Sequence, residues 1–169
     1  GLLHDFGKYS KSFQDYIQSA TGIINPDEDD FVDAYELKGK IDHSSAGAQW
    51  IWQALSSKGK NGEGALCAQV MALCIASHHS GLIDCLKPEG GNGFAERMNK
   101  ADVKTHLAEC KLNADALILG RAIALTDTPL LKNMLMQLGR ILYPQLPSQT
   151  LSPTIKYFYL GFLTRFLFS

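Results

Sequence analysis

The chain has almost no charge imbalance, no paired-cysteine motif, no long uninterrupted apolar run and almost no two-residue alternation of polarity, and each lack removes a class of explanation. With 16 basic and 17 acidic side chains the net charge is -1, so any nucleic-acid partner has to be met by a local patch, a metal site or another domain. The four cysteines, Cys67, Cys74, Cys85 and Cys110, have no C-x-x-C spacing, which excludes a zinc ribbon and a disulfide framework. They read as reduced core residues, and so point to a cytoplasmic setting. The longest apolar stretch, Tyr157 to Phe168, is broken by Thr164 and Arg165 and is too short to span a bilayer. No membrane partner is expected, and no signal peptide is visible. The scarcity of alternation excludes a sheet-based fold.

What is present is helical spacing almost throughout. With 46% hydrophobic and 20% charged residues over 169 positions, it predicts one globular all-α domain spanning residues 1–169. Ser10 or Ser12 can cap a helix carrying Phe13, Tyr16 and Ile17 and ending near Thr21-Gly22. An acidic loop from about Asn25 to Lys40, containing PDEDD, reads as solvated surface. The next helix runs from Asp42-His43-Ser44-Ser45 to Leu55, and its small residues Ser44 to Ala48 leave room for a close neighbour around His43. After the turn Lys58 to Gly64 comes the most apolar helix, Ala65 to Ile75, which its all-round hydrophobicity marks as central and which ends in Ser77-His78-His79-Ser80-Gly81. A loop from Leu82 to Asn92, a short helix Phe94 to Asn99 and a segment Asp102 to Cys110 follow. Helices over Ala114 to Thr126 and Pro129 to Leu142, a linker Leu146 to Pro153, and a last helix opened by Ser152-Pro153 complete the chain.

The opening GLLHDFGK, Gly1 to Lys8, carries the first chemical signal. Adjacent His4 and Asp5 offer a neutral nitrogen and an anionic oxygen, the Leu2-Leu3 pair predicts a buried helical segment, and Gly7 is placed to end it in a left-handed conformation with Lys8 just beyond. His4, Asp5, His43, His78 and His79 all fall at ends or starts of predicted helices, which a bundle can bring together. Imidazole with carboxylate is a donor set for a divalent transition metal, and a bridging carboxylate can hold two metals that activate a water and stabilise a leaving oxygen. Magnesium alone would prefer oxygen. His106, isolated in a polar stretch, reads as an ordinary hydrogen-bonded residue.

Four stretches, GLLHDFGKYSKSFQ, DHSSAGAQ, IASHHSGLIDCL and FAERMNK, occur in an order and spacing that resemble the N-terminal HD nuclease domain of the CRISPR-associated nuclease-helicase of type I interference. The resemblance implies an HD-superfamily helical fold and a metal-dependent endonuclease cutting single-stranded DNA. It implies two metals per complete site, iron, manganese, nickel or cobalt, with magnesium also open. It further implies a fused or separate helicase and a guide-RNA surveillance complex as partners, in a prokaryotic cytoplasm. On the matching positions, His4 and Asp5 are the HD pair, Asp5 bridges the metals, and His43, His78 and His79 complete one metal's shell. Lys8 stabilises charge on the phosphate, which with Asp5 makes the catalytic pair, and Ser44, Ser45 and Ser77 orient imidazoles. The family pattern has a further His upstream of the HD pair and a further Asp on a helix late in the domain. Neither is found here, and Asp127 is the late carboxylate available.

Two other functions use the same residues: an HD phosphohydrolase acting on nucleotides, and a non-catalytic interaction module. The DHSSAGA and SHHSGL pair speaks against the first. Because Gly1 already lies inside the motif and FLTRFLFS runs off within an apolar helix, the sequence is expected to be an internal piece of a longer protein, truncated at both ends.

Overall fold

Ser10 accepts a hydrogen bond from the Phe13 amide at 3.3 Å and so starts the first α-helix, α1 (Lys11–Ala20). The structure, a computed structural model, describes residues 2–27, 30–37, 40–60, 62–79, 81–142 and 152–168. Among these the regular elements are helical: after α1 come α2 (Ala34–Leu37), α3 (Ser44–Leu55), α4 (Glu63–Ala76), α5 (Gly93–Met98), α6 (Asp102–Thr105), α7 (Leu107–Asn113), α8 (Ala116–Leu125), α9 (Pro129–Leu142) and α10 (Pro153–Phe168). The all-α reading therefore holds. Most of the predicted linker Leu146 to Pro153 lies outside the described residues. Of the acidic stretch, the described residues Asp27 and Asp30 are exposed, with Asp30 held 2.7 Å from the Lys11 ammonium.

The core forms where α3 and α4 meet, and no other pair of elements packs as extensively. Alanines and glycine on α3 (Ala46, Gly47, Ala48) and Ala68, Ala72 and Ala76 on α4 are almost fully buried, so the two backbones come close before larger side chains such as Ile51, Leu55 and Leu73 fill in. α9 and α10 pack on α4, and α5 and α7 pack on α3. All four cysteines are free, and burial pushes the Cys67 thiol up to about 11.

The opening segment differs from its expectation. Residues 2–5 form a turn followed by a 3-10 helix, Phe6–Tyr9, so His4 and Asp5 precede the helical turn instead of ending a helix. Leu3 and Phe6 are buried, but Leu2 is 37% exposed. Gly7 is not among the left-handed residues; its value is its missing side chain, because a Cβ there would collide with the His43 backbone. Instead the Gly7 amide donates to the His43 carbonyl at 3.1 Å. Gly47 is the reciprocal case, since its Cβ would run into the Leu3 carbonyl oxygen. These two glycines seat the His-Asp segment against the start of α3, the close neighbour for which the small residues leave room. Gly47→Ala should accordingly lower stability by about 1–3 kcal/mol through overpacking. Urea denaturation of the two proteins checks this, and an unchanged midpoint would mean that the segment yields without loss.

The segment Asp102 to Cys110 also breaks in two. His106 takes a left-handed φ of 54° between α6 and α7. The Asp102 carboxylate reaches past it to accept from the Ala108 amide at 2.9 Å, giving α7 its own cap.

Candidate metal centre

Three backbone features deliver the donors. Asp5 sits in the turn before the 3-10 helix, His43 at the N-cap of α3, and His78 and His79 immediately past the last turn of α4. The carbonyl end of α4 carries partial negative charge, which favours a cation nearby. One ligand atom from each of Asp5, His43, His78 and His79 lies within 4.8 Å of the others. Ring centroids are 3.9 Å apart for His78 and His79, 4.8 Å for His43 and His79, and 5.7 Å for His43 and His78.

The tautomers follow from the hydrogen bonds. His78 Nδ1 lies 2.7 Å from the Ile75 carbonyl and His43 Nδ1 3.3 Å from the Ile41 carbonyl. A carbonyl can only accept, so each Nδ1 carries the proton and each Nε2 presents a lone pair. Those two Nε2 atoms and Asp5 Oδ1 are buried without a hydrogen-bond partner. Asp5 Oδ1 faces His78 Nε2 at 3.5 Å, acceptor against acceptor. Unpartnered buried acceptors that converge are unfavourable by themselves, and a cation among them would satisfy all of them at once. The residues present therefore fit a divalent metal.

The other carboxylate oxygen, Asp5 Oδ2, accepts from the Lys8 ammonium at 2.9 Å and lies 3.1 Å from His4 Nε2. Asp5 thus turns one oxygen to the three-histidine group and the other to His4 and Lys8. Burial raises the Asp5 pKa, but the Lys8 hydrogen bond and the charges of His4, Lys8 and His78 outweigh it and hold it below the usual carboxylate value.

Burial lowers His43 below its usual 6.5 against the Ile41 hydrogen bond, and His79 and His78 add to the fall. His78 is lowered likewise, by burial against the Ile75 hydrogen bond, with His79 and His4 adding. Histidines that titrate lower in the folded than in the unfolded chain are protonated first in the unfolded state as pH drops. Their stabilisation is complete above 6.5 and is lost as pH falls from there through the folded values. With a chelator present, the melting temperature should therefore decline between about pH 7 and 5. A flat profile over that interval would contradict neutral, buried His43 and His78.

The remaining sequence expectations fare differently. Ser44, Ser45 and Ser77 do not hydrogen-bond the imidazoles directly: Ser44 and Ser45 accept from Arg97 Nη1 at 2.9 and 3.2 Å, and Ser77 accepts from the Ile83 amide at 3.1 Å. Asp127 lies beyond α8 with its side chain 73% exposed, paired with Lys132 at 3.0 Å, and is not among the clustered donors. His106 faces Glu109 at 3.4 Å. Sequence reading gave no role to Asp42, Gln49, Arg97 and Lys100, which link the first half of α3 to the end of α5. Their presence in the DHSSAGAQ and FAERMNK stretches was the available signal.

No helix among the described residues is long and apolar enough to cross a membrane. No curated protein and no solved structure matches the chain. The family described as Cas3, HD domain, matches residues 1–138, a span that contains the turn with His4 and Asp5, His43 and the His78-His79 pair.

Proposed function

The chain belongs to the Cas3 HD-domain family of metal-dependent nucleases and phosphohydrolases, and from that premise we propose that it hydrolyses phosphodiester bonds of single-stranded DNA in CRISPR type I interference. The observation that carries this reading is the set of converging, unpartnered acceptors, Asp5 Oδ1, His43 Nε2 and His78 Nε2. With His79 they would hold one divalent transition metal, iron, manganese, nickel or cobalt, and Asp5 Oδ2 with His4 would offer the start of a second site. A bound divalent cation would supply Lewis acidity toward the phosphoryl oxygen and activate a water. Asp5 supplies the shared negative charge between the two donor groups. Lys8, anchored 2.9 Å from Asp5 Oδ2 and with its side chain 40% exposed, can turn its other N–H donors to a phosphate oxygen. Partners on this reading are a fused or separate helicase and the guide-RNA surveillance complex, in a prokaryotic cytoplasm.

A polymer substrate is favoured over a free nucleotide by the space available. The cavity beside His4 and His78, lined also by Cys74, Ile75, Leu167 and Phe168, is about 240 Å³. That is below the roughly 300–1,000 Å³ of small-molecule pockets. His79 is exposed, so the donor group is open to a strand lying across it. The test incubates the chain, with manganese or nickel and with a chelator, against single-stranded DNA, duplex DNA, a nucleoside monophosphate and a cyclic nucleotide. Metal-dependent cleavage of the single strand is expected. Turnover of the nucleotides without DNA cleavage would favour the phosphohydrolase, and metal binding without any turnover the interaction module.

A further inference from the structure

We propose that Arg97 and Lys100, acting through Asp42, are positioning residues that fix the His43 imidazole in the metal centre; this rests on the reading of His43 as a ligand. Asp42 directly precedes His43, and its carboxylate caps the first turn of α3: Oδ1 accepts from the Ser45 amide at 3.0 Å and Oδ2 from the Ser45 hydroxyl at 2.7 Å. Two cations from the end of α5 close on that carboxylate. Lys100 Nζ pairs with Oδ2, and Arg97 Nη1 lies 3.8 Å from Oδ1 while donating to the Ser44 and Ser45 hydroxyls. The residues on both sides of His43 are therefore tied to one guanidinium and one ammonium.

The anchor is itself anchored. Gln49, one turn further along α3 and buried, donates its amide to the Arg97, Met98 and Lys100 carbonyls at 3.3, 3.1 and 2.9 Å. The buried Thr105 hydroxyl holds the other end of that amide at 2.9 Å. Gln49 thus satisfies carbonyls that the end of α5 would leave open, and fixes the backbone from which Arg97 and Lys100 reach back. The His43 ring has a long 3.3 Å hydrogen bond to the Ile41 carbonyl and packs against Phe13 at 5.1 Å between ring centres, contacts that leave the backbone at 42–45 to decide where the ring starts from. Asp5, His78 and His79 stand on other elements and make no hydrogen bond or ion pair with Arg97 or Lys100. Loosening the clamp should therefore disturb one ligand of four.

The experiment measures cobalt(II) affinity by calorimetry and its visible absorption for the unaltered chain, for Arg97→Ala/Lys100→Ala, for Lys100→Ala alone, and for each in a His43→Ala background. The double variant should bind cobalt about 10- to 100-fold more weakly, with an altered absorption band, the scale for losing groups that orient a ligand. Lys100→Ala, at a partly exposed side chain, should show a smaller loss in the same direction. In the His43→Ala background neither change should weaken binding further. A general loosening would weaken binding equally in both backgrounds and overturn the clamp, as would unchanged affinity in the variants. If the double variant melts below the assay temperature, Lys100→Ala decides by the same comparison. An unaltered chain that binds no cobalt would overturn the metal reading, and the clamp with it.

Discussion

Asp5→Asn is expected to lower DNA cleavage a thousand-fold or more, the loss that several kcal/mol of transition-state charge stabilisation entails. The substitution keeps shape and removes charge. Asp5 contributes the single carboxylate of the cluster, and its two oxygens face the two donor groups, so an amide there leaves a bound cation without its anion. Folding should respond differently. Asp5 Oδ1 opposes the lone pair of His78 Nε2 at 3.5 Å, and an Asn amide N–H could donate to that nitrogen. Asp5→Asn gains that donor but loses the charge that Lys8 and His4 pair with, two partly exposed effects of opposite sign, so the metal-free chain should change little in stability while metal affinity falls. Cleavage rates, calorimetric metal binding and melting in chelator separate the three effects. A variant that loses activity because it no longer folds would contradict this account.

Lys8→Ala should leave the number of bound metals unchanged and slow cleavage by about ten- to a thousand-fold, the range for removing one charge contact made in the transition state. The ammonium lies on Asp5 Oδ2, away from the three-histidine group, and packs 5.8 Å from the Phe13 ring centre. Partly exposed ion pairs of this kind add at most about 1 kcal/mol to stability, so the melting temperature should move little. Single-turnover cleavage with metal in excess gives the rate, and calorimetry the stoichiometry. Loss of the metal in Lys8→Ala would show that Lys8 acts by holding the carboxylate in place and not on the substrate.

The helices were legible in the sequence because their signals are local: the apolar period, the Ser10 cap, the Pro129 and Pro153 starts and the small-residue run Ser44 to Ala48. The grouping of His43, His78 and His79 with Asp5 was inferable from donor type and from a family resemblance, not from any one helix. What escaped depends on contacts between segments far apart in the chain. Gly7 looked like a left-handed helix stop, whereas it is required by the His43 backbone packed against it. Ser44 and Ser45 flank a histidine in sequence but turn to Arg97, some 50 residues later, as the side-chain pairs record with separations of 53 and 52. The break at His106 is local by contrast: it depends on Asp102 capping the helix beyond it, a choice that periodicity does not encode.

The most direct test of the central claim is a crystal structure of this chain grown with manganese and measured for anomalous scattering. One peak should lie about 2.0–2.2 Å from His43 Nε2, His78 Nε2 and a His79 ring nitrogen, with Asp5 Oδ1 at a similar distance. Manganese bound elsewhere, or His43 and His78 turned away from a peak that Asp5 alone holds, would contradict the metal centre and the nuclease reading built on it.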